Sequence, residues 1–118
     1  MKSPVLLLIF NRPETTKRVF QRIREARPPR LYLASDGPRA ERVGEAETAK
    51  DLREGILAGI EWPCEIKTLF REENLGCARA VSGAITWFFE HEEEGIILED
   101  DTLPHPIFSL FRKELVER

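Results

Sequence analysis

At 118 residues, with 42% hydrophobic and 33% charged residues, the chain has room for one domain, residues 1–118, and the composition of an ordinary soluble globule, which excludes an intrinsically disordered segment. The formal net charge of −3 supplies no basic field for nucleic acid or an anionic membrane, and no apolar run approaches the roughly 20 residues of a membrane span. Cys64 and Cys77 are too far apart for a CxxC site and have no partner cluster, so they read as buried free thiols in a reducing, cytoplasmic compartment.

The first apolar run, residues 4–10, lacks a cationic leader and a small-residue cleavage site, and so reads as a core strand rather than a signal segment. Asn11-Arg12-Pro13-Glu14 then supplies a capping residue, a Pro suited to a first helical turn and an acid favoured there. Val19, Phe20 and Ile23 recur at helical spacing until Pro28-Pro29 stops the helix. Leu31-Tyr32-Leu33-Ala34 is a second strand, ending in Ser35-Asp36-Gly37-Pro38. Residues 40–60 keep Ala49, Leu52, Ile56 and Ile60 on one helical face, with a loose start, and Trp62-Pro63 breaks them off. Residues 65–70 alternate as a third, more exposed strand would.

After Glu73-Asn74-Leu75-Gly76, a third helix carries Ala78, Val81, Ile85 and Phe88, and Gly95 closes it. The acidic run at 90–94 reads as a solvated face, and Trp62, Trp87, Phe88 and Phe89 as packing residues. Gly95-Ile96-Ile97-Leu98 is too short for a helix and makes a fourth strand, followed at once by Glu99-Asp100-Asp101. Residues 104–118 place Phe108, Phe111 and Leu115 on one face of a last helix. Strict alternation of strand and helix implies an α/β fold with a mostly parallel sheet, right-handed crossovers and helices on both faces. If that sheet ends at strand four, its exposed flank and the apolar face of the last helix would pair two copies into a homo-oligomer.

Ligands of open α/β sheets bind outside the carboxyl ends of the strands, and the polar loops of this chain gather at that edge. Three adjacent carboxylates repel one another and call for a cation, most plausibly a hard divalent metal. Arg12 offers a planar fork of donors to an anion or a base edge; Asp36 can accept from a ring N–H or from ribose hydroxyls. A nucleotide joins these roles, with a metal bridging carboxylate and diphosphate oxygens. His91 and His105 are isolated and read as no metal ligands.

A strand followed by Asn11-Arg12-Pro13, then Ala34-Ser35-Asp36-Gly37, then Glu73-Asn74-Leu75-Gly76, then Ile97-Leu98-Glu99-Asp100-Asp101 resembles the nucleotide-binding half of GT-A glycosyltransferases. The likeness is to family 2-like enzymes and to the N-acetylglucosaminyltransferase I type, in which Glu-Asp-Asp replaces the usual Asp-X-Asp. It implies a Rossmann-like three-layer αβα fold that binds a nucleotide-diphospho-sugar, most plausibly a UDP-sugar, and transfers the sugar to an acceptor hydroxyl.

Carried over by position, the resemblance makes Asp101 the direct ligand of Mn²⁺ or Mg²⁺, turns Asp100 toward the ribose and Glu99 toward the donor sugar, and gives Asp36 the uracil or ribose and Arg12 the base. Arg79, one turn into the third helix, would approach the donor. The inverting carboxylate base of such enzymes lies downstream of the acids, past the end of this sequence, so the catalytic residue and the acceptor stay open. A phosphatase or a receiver domain would need an acid where Asn11-Arg12 stands, and a nucleotidyltransferase a Gly-rich basic loop that is missing there. The remaining alternative is a non-catalytic nucleotide-binding or interaction module derived from the same fold.

Overall fold

Val5–Ile9 (β1) is buried along its whole length, as a strand must be when helices cover both faces of its sheet. The structure is a computed structural model that describes residues 3–9, 12–99 and 109–112, the last four by their backbone. β1 is followed by Pro13–Ala26 (α1), Arg30–Ser35 (β2), Glu45–Ala58 (α2), Glu65–Phe70 (β3), Cys77–His91 (α3), Glu94–Glu99 (β4) and Ser109–Arg112 (β5). The sheet order is β3-β2-β1-β4-β5. The first four strands run parallel, in a Rossmann-like three-layer arrangement.

Strand alternation sorts the core into two layers. Val5, Leu7 and Ile9 of β1 join Leu31, Leu33, Ile96 and Leu98 under Val19, Phe20 and Ile23 of α1 and Leu52 and Ile56 of α2. Leu6, Leu8, Tyr32, Ala34 and Ile97 face the other way, against Ala84, Phe88 and Phe89 of α3. Ala78, expected on the buried stripe of α3, is exposed; Ala80 and Ala84 are buried instead. The close approach of this helix to the sheet also shapes β4. A Cβ on Gly95 would overlap the Phe88 ring and lie 3.0 Å from the Pro4 carbonyl oxygen.

α1 begins with Pro at its first turn, as expected, but the residue in the capping position is Arg12, whose side chain makes no capping bond. Asn11, expected to cap, lies outside the described residues. Arg27 ends α1 in the left-handed region at φ 49°, its N–H donating 2.9 Å to the Ile23 carbonyl, and Pro28-Pro29 follows. Among the described residues no helix is long and apolar enough to cross a membrane.

The last segment departs from expectation. Residues 109–112 form a strand antiparallel to β4, with Glu94 opposite Arg112 and Ile97 opposite Ser109, where the spacing of Phe108, Phe111 and Leu115 predicts a helix. The edge of β4 offers a row of backbone donors and acceptors that only an extended segment can satisfy, and this outweighs the helical periodicity. The rest of the expected helix, 104–108 and 113–118, lies outside the described residues. The flank of strand four, on which the expected pairing of copies rested, is therefore covered by β5, and among the described residues β3 and β5 are the outer strands of the sheet.

The acidic run is not wholly a solvated face. Glu92, just past α3, accepts two hydrogen bonds from the Arg30 guanidinium at 2.7 and 3.0 Å and one from the Tyr32 hydroxyl at 2.6 Å. This latch ties the end of α3 to the start of β2. Burial pushes the Glu92 carboxyl up, but the Arg30 and Tyr32 hydrogen bonds and the Arg30 and His91 charges outweigh it and hold the group below its ordinary range. Burial and the same carboxylate raise the Tyr32 hydroxyl well above its ordinary value.

A depressed folded-state pKa means that the Glu92 contribution is complete above the unfolded carboxyl value of about 4.3 and is lost as pH falls through the folded one. Glu92→Gln is expected to cost about 1–2 kcal/mol near neutral pH and to flatten the acid limb of stability against pH, measured by urea unfolding. Identical acid limbs in variant and wild type would refute the latch.

Candidate functional site

The strand order places a topological switch point between β1 and β4: the chain moves outward from β1 to β2 and β3, then returns through α3 to the other side of β1. Crevices of open α/β sheets form at such a point, outside the carboxyl ends. Here a cleft of about 760 Å³ opens along that edge. Ile9 and Arg12 line it after β1, Asp36, Gly37, Arg39, Arg42 and Val43 after β2, Glu45 and Thr48 at the start of α2, Asn74, Gly76 and Cys77 at the entry to α3, and Glu99 at the end of β4.

Of the residues singled out in the sequence, Arg12, Asp36 and Glu99 are brought to this one cleft. Asp100 and Asp101 lie outside the described residues. Glu99 is exposed at the strand end, in register with Leu8 of β1. Arg79 is exposed on α3 and is not among the residues lining the cleft. The thiols differ from expectation: Cys64 is half-buried, its pKa raised by burial, and Cys77 is exposed where α3 starts.

Asp36 has a structural task that its place in a common turn did not reveal. One carboxylate oxygen accepts the backbone N–H groups of Gly37 at 2.8 Å and Leu75 at 2.9 Å. The other accepts the Gly76 N–H at 3.1 Å and the Asn74 side-chain amide at 3.2 Å. A carboxylate has about four acceptor positions, and all are filled from within the chain. Asn74 donates a second bond, 2.8 Å, to the Gly37 carbonyl. The loop after β2 is thus stitched to the loop after β3, directly ahead of α3.

That stitching requires a bare backbone at Gly37. A Cβ there would overlap the Glu73 carbonyl group and come within 2.7 Å of the carbonyl carbon of Glu72. Gly76, the residue before α3, sits at φ +88°, which residues with a side chain rarely adopt. No side chain caps this helix, and Gly76 and Cys77 at its start line the cleft.

Arg53 of α2 braces the same two loops from behind. Its guanidinium donates to the Ser35 hydroxyl at 3.1 Å, the Ser35 carbonyl at 3.3 Å, and the Asp36 and Arg71 carbonyls at 3.0 Å each, and stands 5.0 Å over the Phe70 ring. Burial lowers its pKa, and the nearby Asp36 charge opposes that shift. On the cleft side, Arg39 pairs with Glu45 at 3.3 Å, while Arg42 adds a further cation to the wall. Sequence reasoning passed over Arg39, Arg42 and Arg53, because in a charged helix entry an Arg that meets a carbonyl looks the same as one that meets water.

Among the described residues no group of three or more His, Cys, Asp or Glu is placed to hold a metal ion. No protein-family model matches the chain, and a search of curated proteins finds no match either. What stands is an α/β fold with a parallel four-strand core and a polar cleft at its switch point.

Asp36→Ala is expected to cost about 2 kcal/mol, because it strips four donors of a charged partner, and to speed amide exchange at Leu75 and Gly76 more than in the core strands. Exchange at those amides unchanged from wild type would show that the loop holds itself. Gly37→Ala should disturb the same amides, through overlap with the Glu73 backbone rather than loss of a bond.

Proposed function

We propose that the cleft binds a nucleotide-diphospho-sugar and that the chain is a GT-A-type glycosyltransferase or the donor-binding half of one. The observation that carries this reading is the place of the cleft: it lies at the switch point and gathers there the loops that follow β1, β2 and β3 together with the last residue of β4. Arg12, Arg39 and Arg42 offer guanidinium donors to an anionic ligand, and the uncapped amino end of α3 adds backbone N–H groups of the same polarity.

Glu99 contributes a carboxylate at the cleft mouth, and hard oxygen donors of that kind suit Mn²⁺ or Mg²⁺. In this reading Asp100 and Asp101 complete the acidic group, with Asp101 the direct ligand. A divalent cation held there would offset the charge of a diphosphate and ease its departure. Arg12 takes the base edge. Asp36 serves by holding Asn74, Leu75 and Gly76 in place; contact with a ribose or uracil would have to displace one of its four donors.

Thermal unfolding in the presence of UDP, GDP or CDP, each with and without Mn²⁺, tests the reading. A ligand at about 100 times its dissociation constant stabilises the native state by roughly 2.7 kcal/mol. A base-selective rise that needs the metal is expected. Asp101→Ala should remove the metal-dependent part of that rise while leaving the unliganded melting point near its wild-type value; an unchanged metal response in the variant would sink the metal assignment. No rise with any nucleotide would leave the fold without a donor site.

A further inference from the structure

β3 is the outermost strand of the sheet on its side, and its backbone polarity can be read from two hydrogen bonds. The Glu65 N–H donates to the Pro29 carbonyl at 2.9 Å and the Arg71 N–H to the Ser35 carbonyl at 3.0 Å, so residues 65, 67, 69 and 71 turn their peptide groups toward β2. In a parallel ladder the alternate residues then point theirs the other way. Ile66, Thr68 and Phe70 present outward donors and acceptors that no described strand takes up.

We propose that β3 pairs with β3 of a second copy of this chain, antiparallel, about a two-fold axis through Thr68. The sequence of the strand is complementary to itself in that register. Thr68 meets Thr68, both outward-bonding, as a hydrogen-bonded pair requires. Ile66 then lies opposite Phe70 and Glu65 opposite Arg71. Thr–Thr and β-branched–aromatic pairs are among the cross-strand combinations that stabilise antiparallel sheets. A register centred on Ile66 also satisfies the outward bonding pattern, but it places Cys64 opposite Thr68 and brings Pro63 into the ladder, which shortens the pairing.

The surroundings of the strand fit the same occupant. Phe70 packs with the core layer under α1 and α2, while Leu69 packs with the layer under α3. Strand alternation therefore places Ile66 and Phe70 on the α1/α2 face, where Leu57 and Phe70 line a shallow groove of about 410 Å³ between α2 and the strand. Ile66 and Leu57 are each 38% exposed, although both are large and apolar. In the two-fold register Ile66 of each copy lies opposite Phe70 of the other, so each groove receives one Ile66 side chain and each Ile66 loses its exposure. The continuous sheet that results has its two clefts opening on opposite edges, because the strands of the two copies run in opposite directions.

Sedimentation equilibrium of the full chain over a range of concentrations tests the pairing. A mass rising toward twice the 13.6 kDa of one chain is expected. Ile66→Glu sets a carboxylate against Phe70 of the other copy and should sediment as a monomer while melting near wild type, because Ile66 is 38% exposed in the single chain. Thr68→Pro removes an outward N–H at the axis, a place where an edge strand tolerates Pro, and should also give the monomer. A wild-type chain that stays at the single-chain mass throughout, or a dimer that survives both Ile66→Glu and Thr68→Pro, would overturn the proposal.

Discussion

The four hydrogen bonds that Asp36 accepts are the constraint on which the rest of the cleft depends. A charged acceptor surrounded by backbone N–H groups is worth more than the same number of neutral bonds, because the negative charge answers the partial positive charge of the peptide dipoles facing it. By holding Leu75 and Gly76 the carboxylate sets where α3 begins, and the direction of α3 decides where the chain re-enters the sheet beside β1. Gly37 and Gly76 are the conformational conditions of this arrangement, one because its Cβ has no room and the other because of its positive φ. Arg53 closes the structure from the opposite side, binding the carbonyls that the loops turn away from the cleft.

Both loops that flank the cleft after β2 and β3 are held from within the chain. The cleft is polar and its wall carries guanidinium groups, while the acid of β4 is placed at the strand end, beside the loop that follows β1. A lining that carries both guanidinium groups and carboxylates is what a ligand with one anionic region and a bridging cation would need. It is equally a consequence of topology. Parallel strands put all their carboxyl ends on one edge, so the loops that follow them meet whether or not chemistry requires it.

The two ends of the sheet are treated differently. β5 covers the edge of β4 along residues 94–97, so the acidic strand is an interior one over that length. β3 carries the exposed Ile66 between charged neighbours, and no described strand pairs with its outer edge. An edge of this sort is either defended or used, and the apolar groove alongside Phe70 and Leu57 is more consistent with use.

What the sequence determined by itself was the order and kind of the first seven elements and much of the apolar stripe that each of them buries. Apolar runs bounded by Gly or Pro, and stripes such as Val19, Phe20 and Ile23, report burial directly, since burial is a property of local pattern. It also placed Arg12, Asp36 and Glu99 at strand ends, and parallel topology then sufficed to bring them to one cleft. Tertiary structure alone decided the rest. Residues 109–112 became a strand because an open ladder edge of β4 was there to be paired, a condition absent from their own periodicity. Glu92 left the solvated face because Arg30 and Tyr32, some 60 residues earlier, lie within reach of it. Asp36 turned inward because the amides of residues 75 and 76 converge on it across 40 residues of chain. Hydrogen-bond partners of that separation leave no trace in local pattern, and only the packing of α2 and α3 against the sheet creates them.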